Sequence, residues 1–174
     1  MTTGPYADLL ATLLSRDQLP SDANMSQADT GRAMGDATPS RNSHQLGMDN
    51  PALQEFWEER HLATLTTLTA DGRPHTVPVA PVLDPENGTV RILASRRSRK
   101  VRNVIASTDV AWASVCQVDG RRWCTVEGTT RVLTDHESVR DAEEVYAQRF
   151  RVPRPNLDRV VLFITVQHAM GSLS

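Results

Sequence analysis

Between residues 62 and 134, clusters of turn-forming residues cut the chain into short β-rich runs. Ala70-Asp71-Gly72, Asp84-Pro85-Glu86-Asn87-Gly88 and Asp119-Gly120 combine glycine, which accepts left-handed backbone, with side chains that hydrogen-bond their own turns. The runs they bound are LATLTTLT (62–69), HTVPVAPVL (75–83), TVRILAS (89–95), VAWASVCQV (110–118) and RWCTVEGTTRVLT (122–134). RVVLFITVQ (159–167) adds one more. Threonine and valine dominate them, as a pleated, half-buried surface favours. Hairpin-length links predict antiparallel pairing, and six such strands closing on themselves leave no open edge. The expected fold is therefore mainly β within the α+β class: a small six-stranded antiparallel barrel with short flanking helices. In the second run, Pro78 and Pro81 remove two backbone donors, which places that strand at an edge.

Three helices fit between the strands. Pro51 after Asp49-Asn50 is a cap-then-proline start for a helix to about Arg60, burying Leu53, Phe56 and Trp57. The run 98-SRKVRNVIA-106 places Val101, Val104 and Ile105 on one helical face. Thr134-Asp135-His136-Glu137 reads as a capping box. It opens a helix with Val139, Ala142, Val145, Tyr146 and Phe150 at helical spacing, which Pro153 and Pro155 end.

The first 50 residues differ in kind. YADLLATLLS (6–15) has a leucine stripe suited to a short helix, but Arg16 to Asn50 is too polar to offset its ordering entropy. Residues 1–47 are therefore expected to be a disordered tail, or a stretch ahead of a true start at Met48, and residues 48–174 the folded domain.

Charge and cysteine content narrow the function. The net charge is −2, and residues 51–174 carry 16 cations against 15 anions, a poor balance for bulk nucleic-acid binding. No apolar run approaches the roughly 18–20 residues of a membrane span, and the N-terminus lacks a secretory pattern. Two cysteines, Cys116 and Cys124, are too few for a disulfide scaffold and suit a reducing cytoplasm. They face each other, with a disulfide possible, only if their hairpin loop has three residues; two small strand residues is the plainer account. The five histidines (44, 61, 75, 136, 168) show no metal-ligand spacing, so no metal site is expected.

One stretch stands apart. In 94-ASRRSRKVRN-103, five cations fall within seven positions, and Lys100 is the only lysine of the chain, against 18 arginines. A strand giving way to a helix at Ser98 presents backbone N–H groups that favour an anion. Arg99 and Lys100 in the first turn oppose the helix dipole, so a bound phosphate would compensate them. Lysine is a compact point charge and suits a place where a guanidinium fork would not fit. The other reading is a solvated helix face.

The ordered set of segments resolves much of this choice. ERHLATLTTL (59–68), ADGRPHTVPV (70–79), SRKVRN (98–103), QVDGRRW (117–123), VEG (126–128), RDAE (140–143), YAQRF (146–150) and PRPNLDRVV (153–161) together resemble the pyridoxamine-phosphate-oxidase-like split barrels. Within them, the chain is most similar to the flavin/deazaflavin oxidoreductases, and there to the F420-dependent biliverdin reductases. The resemblance spans about 48–172 and leaves the tail outside.

It implies a split-barrel homodimer with the cofactor in a groove between protomers. The cofactor is coenzyme F420, with FMN as the alternative. The phosphate end would meet Ser98, Arg99 and Lys100, with Ser95 and Asn103 near. The ring would lie along His75, Thr76, Val77, Pro78 and Val79, held by backbone groups. Gln117, Arg122 and Trp123 match a second cofactor- or substrate-facing loop; Trp123 covers a ring by stacking, or is ordinary core or interface burial, while Trp112 is expected in the core. Arg96 and Arg97 replace small residues and would reach an acidic tail of the coenzyme or a substrate propionate, or stay solvated.

The implied activity is hydride transfer from the reduced coenzyme to a conjugated small-molecule acceptor, a tetrapyrrole such as biliverdin fitting the arginine-rich mouth. The sequence offers no catalytic triad or carboxylate pair, in keeping with a cofactor that carries the chemistry. An FMN-dependent enzyme of the same fold and a non-catalytic flavin- or haem-binding barrel are the alternatives.

Overall fold

A computed structural model describes residues 44–174. The expected helix over 6–15, and the polar segment after it up to residue 43, lie outside the described residues. Ten elements follow in order: α1 (Pro51–Glu58), β1 (Ala63–Leu68), β2 (Pro74–Val79), β3 (Pro81–Asp84), β4 (Thr89–Ser95), α2 (Arg99–Ile105), β5 (Trp112–Asp119), β6 (Arg122–Leu133), α3 (His136–Arg149) and β7 (Arg159–Ser172).

The strands form one antiparallel sheet of seven, in the order β2-β1-β5-β6-β7-β4-β3. The expectation was six. The run 75–83, read as one strand, divides at Ala80: β2 pairs with β1 at one edge of the sheet and β3 with β4 at the other. Two strands consecutive in sequence thus occupy opposite edges, so the sheet curls until one residue joins its ends. Pro78 and Pro81 sit on the two edge strands, where a missing donor costs least.

Alternation along each strand fills the interior. β1 turns Ala63, Leu65 and Thr67 inward, β5 Ala113, Val115 and Gln117, and β7 Val160, Leu162 and Ile164. α1 adds Leu53, Phe56 and Trp57, all buried. Each large apolar side chain withdrawn in this way contributes roughly 1.5–3 kcal/mol. The start of α1 follows the sequence: the Asn50 side chain accepts from the N–H groups of Ala52 and Leu53 (3.0 and 3.3 Å), with Pro51 in the first turn.

Other local expectations shift. The cap of α3 is Asp135, whose carboxylate accepts from Ser138 N–H (2.9 Å), not Thr134. β6 runs to Leu133, so Thr134 is spent leaving the strand and the stronger acceptor beside it takes the cap. In α2, Val101 and Val104 are buried but Ile105 is 63% exposed; Asn103 takes the third inward position. Trp112, expected in the core, is 44% exposed. It opens β5 on the face opposite Ala113 and Val115.

The β5–β6 hairpin pairs Asp119 with Arg122, a two-residue loop with Gly120 at φ 60°. Gln117 therefore lies opposite Cys124, and Cys116 opposite Thr125. The two cysteines project from opposite faces, both are free, and they cannot form the disulfide considered above. Gly128 marks a register shift between β6 and β7. A Cβ there would lie 1.9 Å from the Thr165 carbonyl oxygen, so only glycine lets the strands approach.

The described part of the expected tail, His44–Gly47, meets the C-terminal half of β7. Leu46 N–H donates to the Ala169 carbonyl (2.9 Å), Gly171 N–H donates to the His44 carbonyl (2.8 Å), and the Leu46 side chain packs on the core. No helix among the described residues is long and apolar enough to cross a membrane.

Candidate functional site

β4 ends at Ser95 and α2 begins at Arg99, with a tight turn between: Ser98 N–H donates to the Ser95 carbonyl (2.9 Å). Ser98 has the extended backbone of an N-cap (φ −69°, ψ 150°), yet its side chain caps nothing. Its hydroxyl is buried and has no hydrogen-bond partner. Such a group costs about 1–3 kcal/mol unless something meets it. Two residues on, Lys100 is half-buried, and no ion pair or side-chain hydrogen bond to it is found among the described residues. Desolvation pushes its ammonium below the usual lysine range.

The neighbours of these two residues are otherwise engaged. Arg99 is exposed and donates from Nε to Asn103 Oδ1 (3.3 Å). Asn103 is buried and donates to the Thr67 hydroxyl (3.0 Å), so it ties α2 to β1 rather than facing a ligand. Arg97 pairs with Asp158 (3.2 Å), and Arg96 N–H donates to the Asp158 carbonyl (2.8 Å). The turn after β4 is thereby fastened to the loop before β7.

Lys100 opens into a cleft of about 480 Å³. One side is the end of β2, Pro78 and Val79, followed by Ala80, with Leu93 of β4. Ser95 lies on the same β4 face as Leu93 and is half-buried. The other side is Tyr146 of α3, the loop Arg151, Pro153, Arg154, Pro155 and Asn156, and Arg159 of β7. Four cations and no carboxylate line it. Arg159 is matched by Glu143 (2.5 Å), which leaves three.

Along β2, Thr76 and Pro78 face out, His75 and Val77 are half-buried, and Val79 is buried. The Thr76 hydroxyl shares a hydrogen bond with that of Thr66 (2.9 Å), and His75 Nδ1 is buried without a partner. β2 has β1 as its one neighbour, so alternate backbone groups along its other side are free of the ladder.

The second expected cluster is built differently. Gln117 is fully buried; its amide donates to the Phe56 carbonyl (2.6 Å) and accepts from Arg149 Nη2 (2.9 Å). Both ends being committed inside the barrel, it offers nothing to a ligand. Arg149 also donates to the carbonyls of Pro81 (2.6 Å) and Glu59 (2.7 Å), and desolvation lowers its guanidinium to about 10.

Arg122 forms a fork with Glu59 (2.6 and 2.9 Å), contacts Asp119, and lies over the Phe56 ring at 5.0 Å. Glu59 also meets His61 (2.8 Å). The Arg122 and His61 bonds hold the Glu59 carboxyl at about 2, and the Glu59 and Asp119 bonds raise Arg122 above the usual range. Glu59, His61 and Asp119 put ligand-type atoms within 4.8 Å of one another, but the guanidinium of Arg122 already occupies the cation position among them. Trp123 is half-buried, tilted on His44 at 6.1 Å between ring centres.

Of the residues singled out from sequence, the cleft brings together Pro78, Val79 and Lys100, with Ser95 and Ser98 at the adjoining turn. Arg122 and Trp123 lie at the β5–β6 hairpin and do not line it; Gln117 is in the core. Sequence reasoning missed Tyr146, Arg151, Arg154 and Asn156. The signal was in the quoted PRPN segment, whose prolines read as a helix stop and drew attention from the arginines.

Three comparisons bear on this arrangement. A family model described as pyridoxamine 5′-phosphate oxidase matches residues 50–171. An F420H(2)-dependent biliverdin reductase of Mycobacterium tuberculosis is 45% identical over 117 residues, covering 67% of this chain and 83% of that protein. Among solved structures, a conserved hypothetical protein from Mycobacterium tuberculosis superposes with a TM-score of 0.61 at 18% identity, covering 76% of this chain and 88% of that one. A structure described as an F420 reductase superposes with a TM-score of 0.55 at 18% identity, covering 70% and 96%. At that identity the two structures speak for the fold alone.

Proposed function

Since the chain belongs to the pyridoxamine 5′-phosphate oxidase family, we propose that it is an oxidoreductase that uses reduced coenzyme F420 to reduce a conjugated small molecule, with biliverdin or a related tetrapyrrole as acceptor. The observation that carries this reading is the pair Ser98 and Lys100: a buried hydroxyl with no partner beside a half-buried ammonium with none. A phosphate oxygen satisfies the first and neutralises the second. Side chains rather than the helix dipole support the site, because α2 has only seven residues. The resemblance to a relative named for the same coenzyme, at 45% identity, favours the deazaflavin over FMN.

The reduced deazaflavin, when bound, supplies the hydride. The chain's own task is to bind, orient and shield. Ser98 and Lys100 hold the phosphate, and Arg99 screens it from the exposed side. The unpaired side of β2 offers backbone groups to the polar edge of the ring, and outward-facing Pro78 leaves a gap in the donors that a ring edge tolerates. Fixing cofactor and acceptor in contact replaces a bimolecular encounter, which by itself removes several kcal/mol of barrier. Exposed Trp112, Leu68 and Val110 line one hollow, an apolar patch that a second copy would cover, in keeping with a homodimer.

The experiment is a titration of cofactor-free protein with F420 and, separately, with FMN, followed by anaerobic mixing of reduced F420 and biliverdin. The expected result is saturable binding of the deazaflavin, stoichiometric oxidation of the reduced coenzyme against acceptor consumed, and a sedimenting species of two chains. Binding of FMN with none of F420 would refute the cofactor assignment. Binding of F420 with no oxidation by any tetrapyrrole would refute the acceptor.

A further inference from the structure

β7 outruns its neighbour on one side. β4 pairs with it from Arg159 to Thr165, and Val166 N–H still donates to the Gly88 carbonyl (2.8 Å). Beyond that point β6 is its one strand neighbour, so residues 167–172 present a free edge. Free edges are where strands of separate chains pair. Here Gln45 bridges Met170 in antiparallel sense, framed by two backbone bonds: Leu46 N–H to the Ala169 carbonyl (2.9 Å) and Gly171 N–H to the His44 carbonyl (2.8 Å). We propose that this edge is a strand-addition slot for an extended segment carrying one leucine-sized side chain. The chain's own residues 44–47 fill it in cis, and this plug keeps the edge from pairing with another copy. The plug lies ahead of residues 50–171, which the family model matches, so the family likeness does not account for it.

The slot fits that segment. A Cβ at Gly171 would lie 2.5 Å from the Trp123 carbonyl oxygen and 3.1 Å from Leu46 Cδ1. Glycine there lets β6 approach on one side and seats Leu46 on the other. Leu46 is half-buried and packs on the core together with Met48. The His44 ring tilts on Trp123 and lays the start of the plug against the β5–β6 hairpin. The other end is anchored at once. Asn50 N–H donates to the Gly47 carbonyl (3.2 Å), Gln54 Nε2 donates to the Met48 carbonyl (3.0 Å), and Asn50 caps α1. Three residues separate Leu46 from that cap. So short a tether gives the cis segment a high effective concentration at the slot, against which a segment from a second copy must compete. The two backbone bonds flank Gln45 and Met170 rather than joining them. This is the close kind of antiparallel pair, with Cα atoms about 4.5 Å apart.

Variants of the full chain test the plug. Gln45→Cys/Met170→Cys puts two thiols at the close pair, where disulfide geometry is met. Mild oxidation is expected to join positions 45 and 170 within one chain, read by peptide mass mapping and by single-chain mass on a non-reducing gel. A link between two chains, or no link, overturns the cis plug. Leu46→Asp withdraws the anchor. Amide exchange at Gly171, whose N–H bonds to the plug, is expected to quicken at least about tenfold, the equivalent of one lost backbone bond, while the amides of β5 hold. Sedimentation is expected to show species larger than the wild-type one, growing with concentration. Leu46→Met, of similar volume, should match wild type in both readouts. Gly171 exchanging at the unprotected rate in wild type overturns the plug. Faster exchange in Leu46→Asp with wild-type sedimentation overturns its guarding role. Leu46→Ala, a milder truncation, gives the same two readouts should Leu46→Asp not fold.

Discussion

At the β5–β6 hairpin, Arg122 is gripped by Glu59 and Asp119, and His61 closes the group. At the β4–α2 turn and the loop before β7, Lys100, Arg151 and Arg154 border one cleft with no carboxylate in it. The hairpin and the β4–α2 turn were both read from sequence as facing a ligand; the loop before β7 was not. The difference lies in where the opposing charge comes from. In the first it is supplied by the chain, from residues 59 and 119 brought to residue 122. In the second the chain withholds it, and even withholds a partner from the Ser98 hydroxyl. A folded protein that leaves a buried polar group unmet carries a cost that a ligand can recover. On the reading proposed above, the paired group serves stability and the unpaired group serves binding.

The comparison breaks most visibly at Gln117, which belongs to the paired side. Gln117→Met keeps the volume but strands the Phe56 carbonyl and one Arg149 donor. Urea unfolding is expected to show a loss of about 2–4 kcal/mol, from two buried groups left unsatisfied. Cofactor affinity of the folded fraction should stay within about twofold, the scatter of surface effects. A large affinity loss without a stability loss would move Gln117 to the ligand side.

Lys100→Ala sharpens the other half. It is expected to weaken cofactor binding by about 1.5–3 kcal/mol, the range for hydrogen bonds to charged groups, with the unfolding midpoint of the cofactor-free protein unchanged. Unchanged affinity would end the account of the cleft.

The smallest effect is a pH dependence at Glu59. Its carboxyl is held at about 2 against an ordinary 4.5, chiefly by Arg122 and then by His61. A depressed acid stabilises the fold fully above the unfolded value, and that contribution is lost as pH falls through the folded one. Wild type and Glu59→Gln should therefore differ in urea midpoint above pH 4.5 and converge as pH approaches 2. A gap that stayed constant over this window would show that Glu59 acts by packing rather than by charge.

Much of the fold was legible because it rests on local chemistry. Gly72, Gly88 and Gly120, each at positive φ, sit in the three turns the sequence marks, and the apolar alternation gives each strand its inward face. The seventh strand was not legible. Nothing in HTVPVAPVL says that its halves pair with different neighbours, since pairing is settled by β1 and β4, not by the run itself. The cap of α3 slipped by one residue for a similar reason: the end of β6 decides whether Thr134 or Asp135 is free to cap. Trp112 was misplaced because a tryptophan in a β-rich run reads as core, while its parity in β5 turns it outward.

The site divides in the same way. The motif Ser98-Arg99-Lys100 was visible as a dense charge cluster with the chain's only lysine. That Asn103 braces α2 on Thr67, that Gln117 points inward to Arg149, and that Arg151 and Arg154 stand beside Lys100 were not.

By itself, then, the sequence determined the turns, the strand faces and the chemical character of the cation cluster, because these depend on backbone propensity and periodicity over a few residues. Only the tertiary structure decided which charges find partners, because a salt bridge between residues 59 and 122, or a cleft shared by residues 100 and 154, exists only once distant segments are packed together. Electrostatic energy depends on that separation in space, which composition and order along the chain leave open.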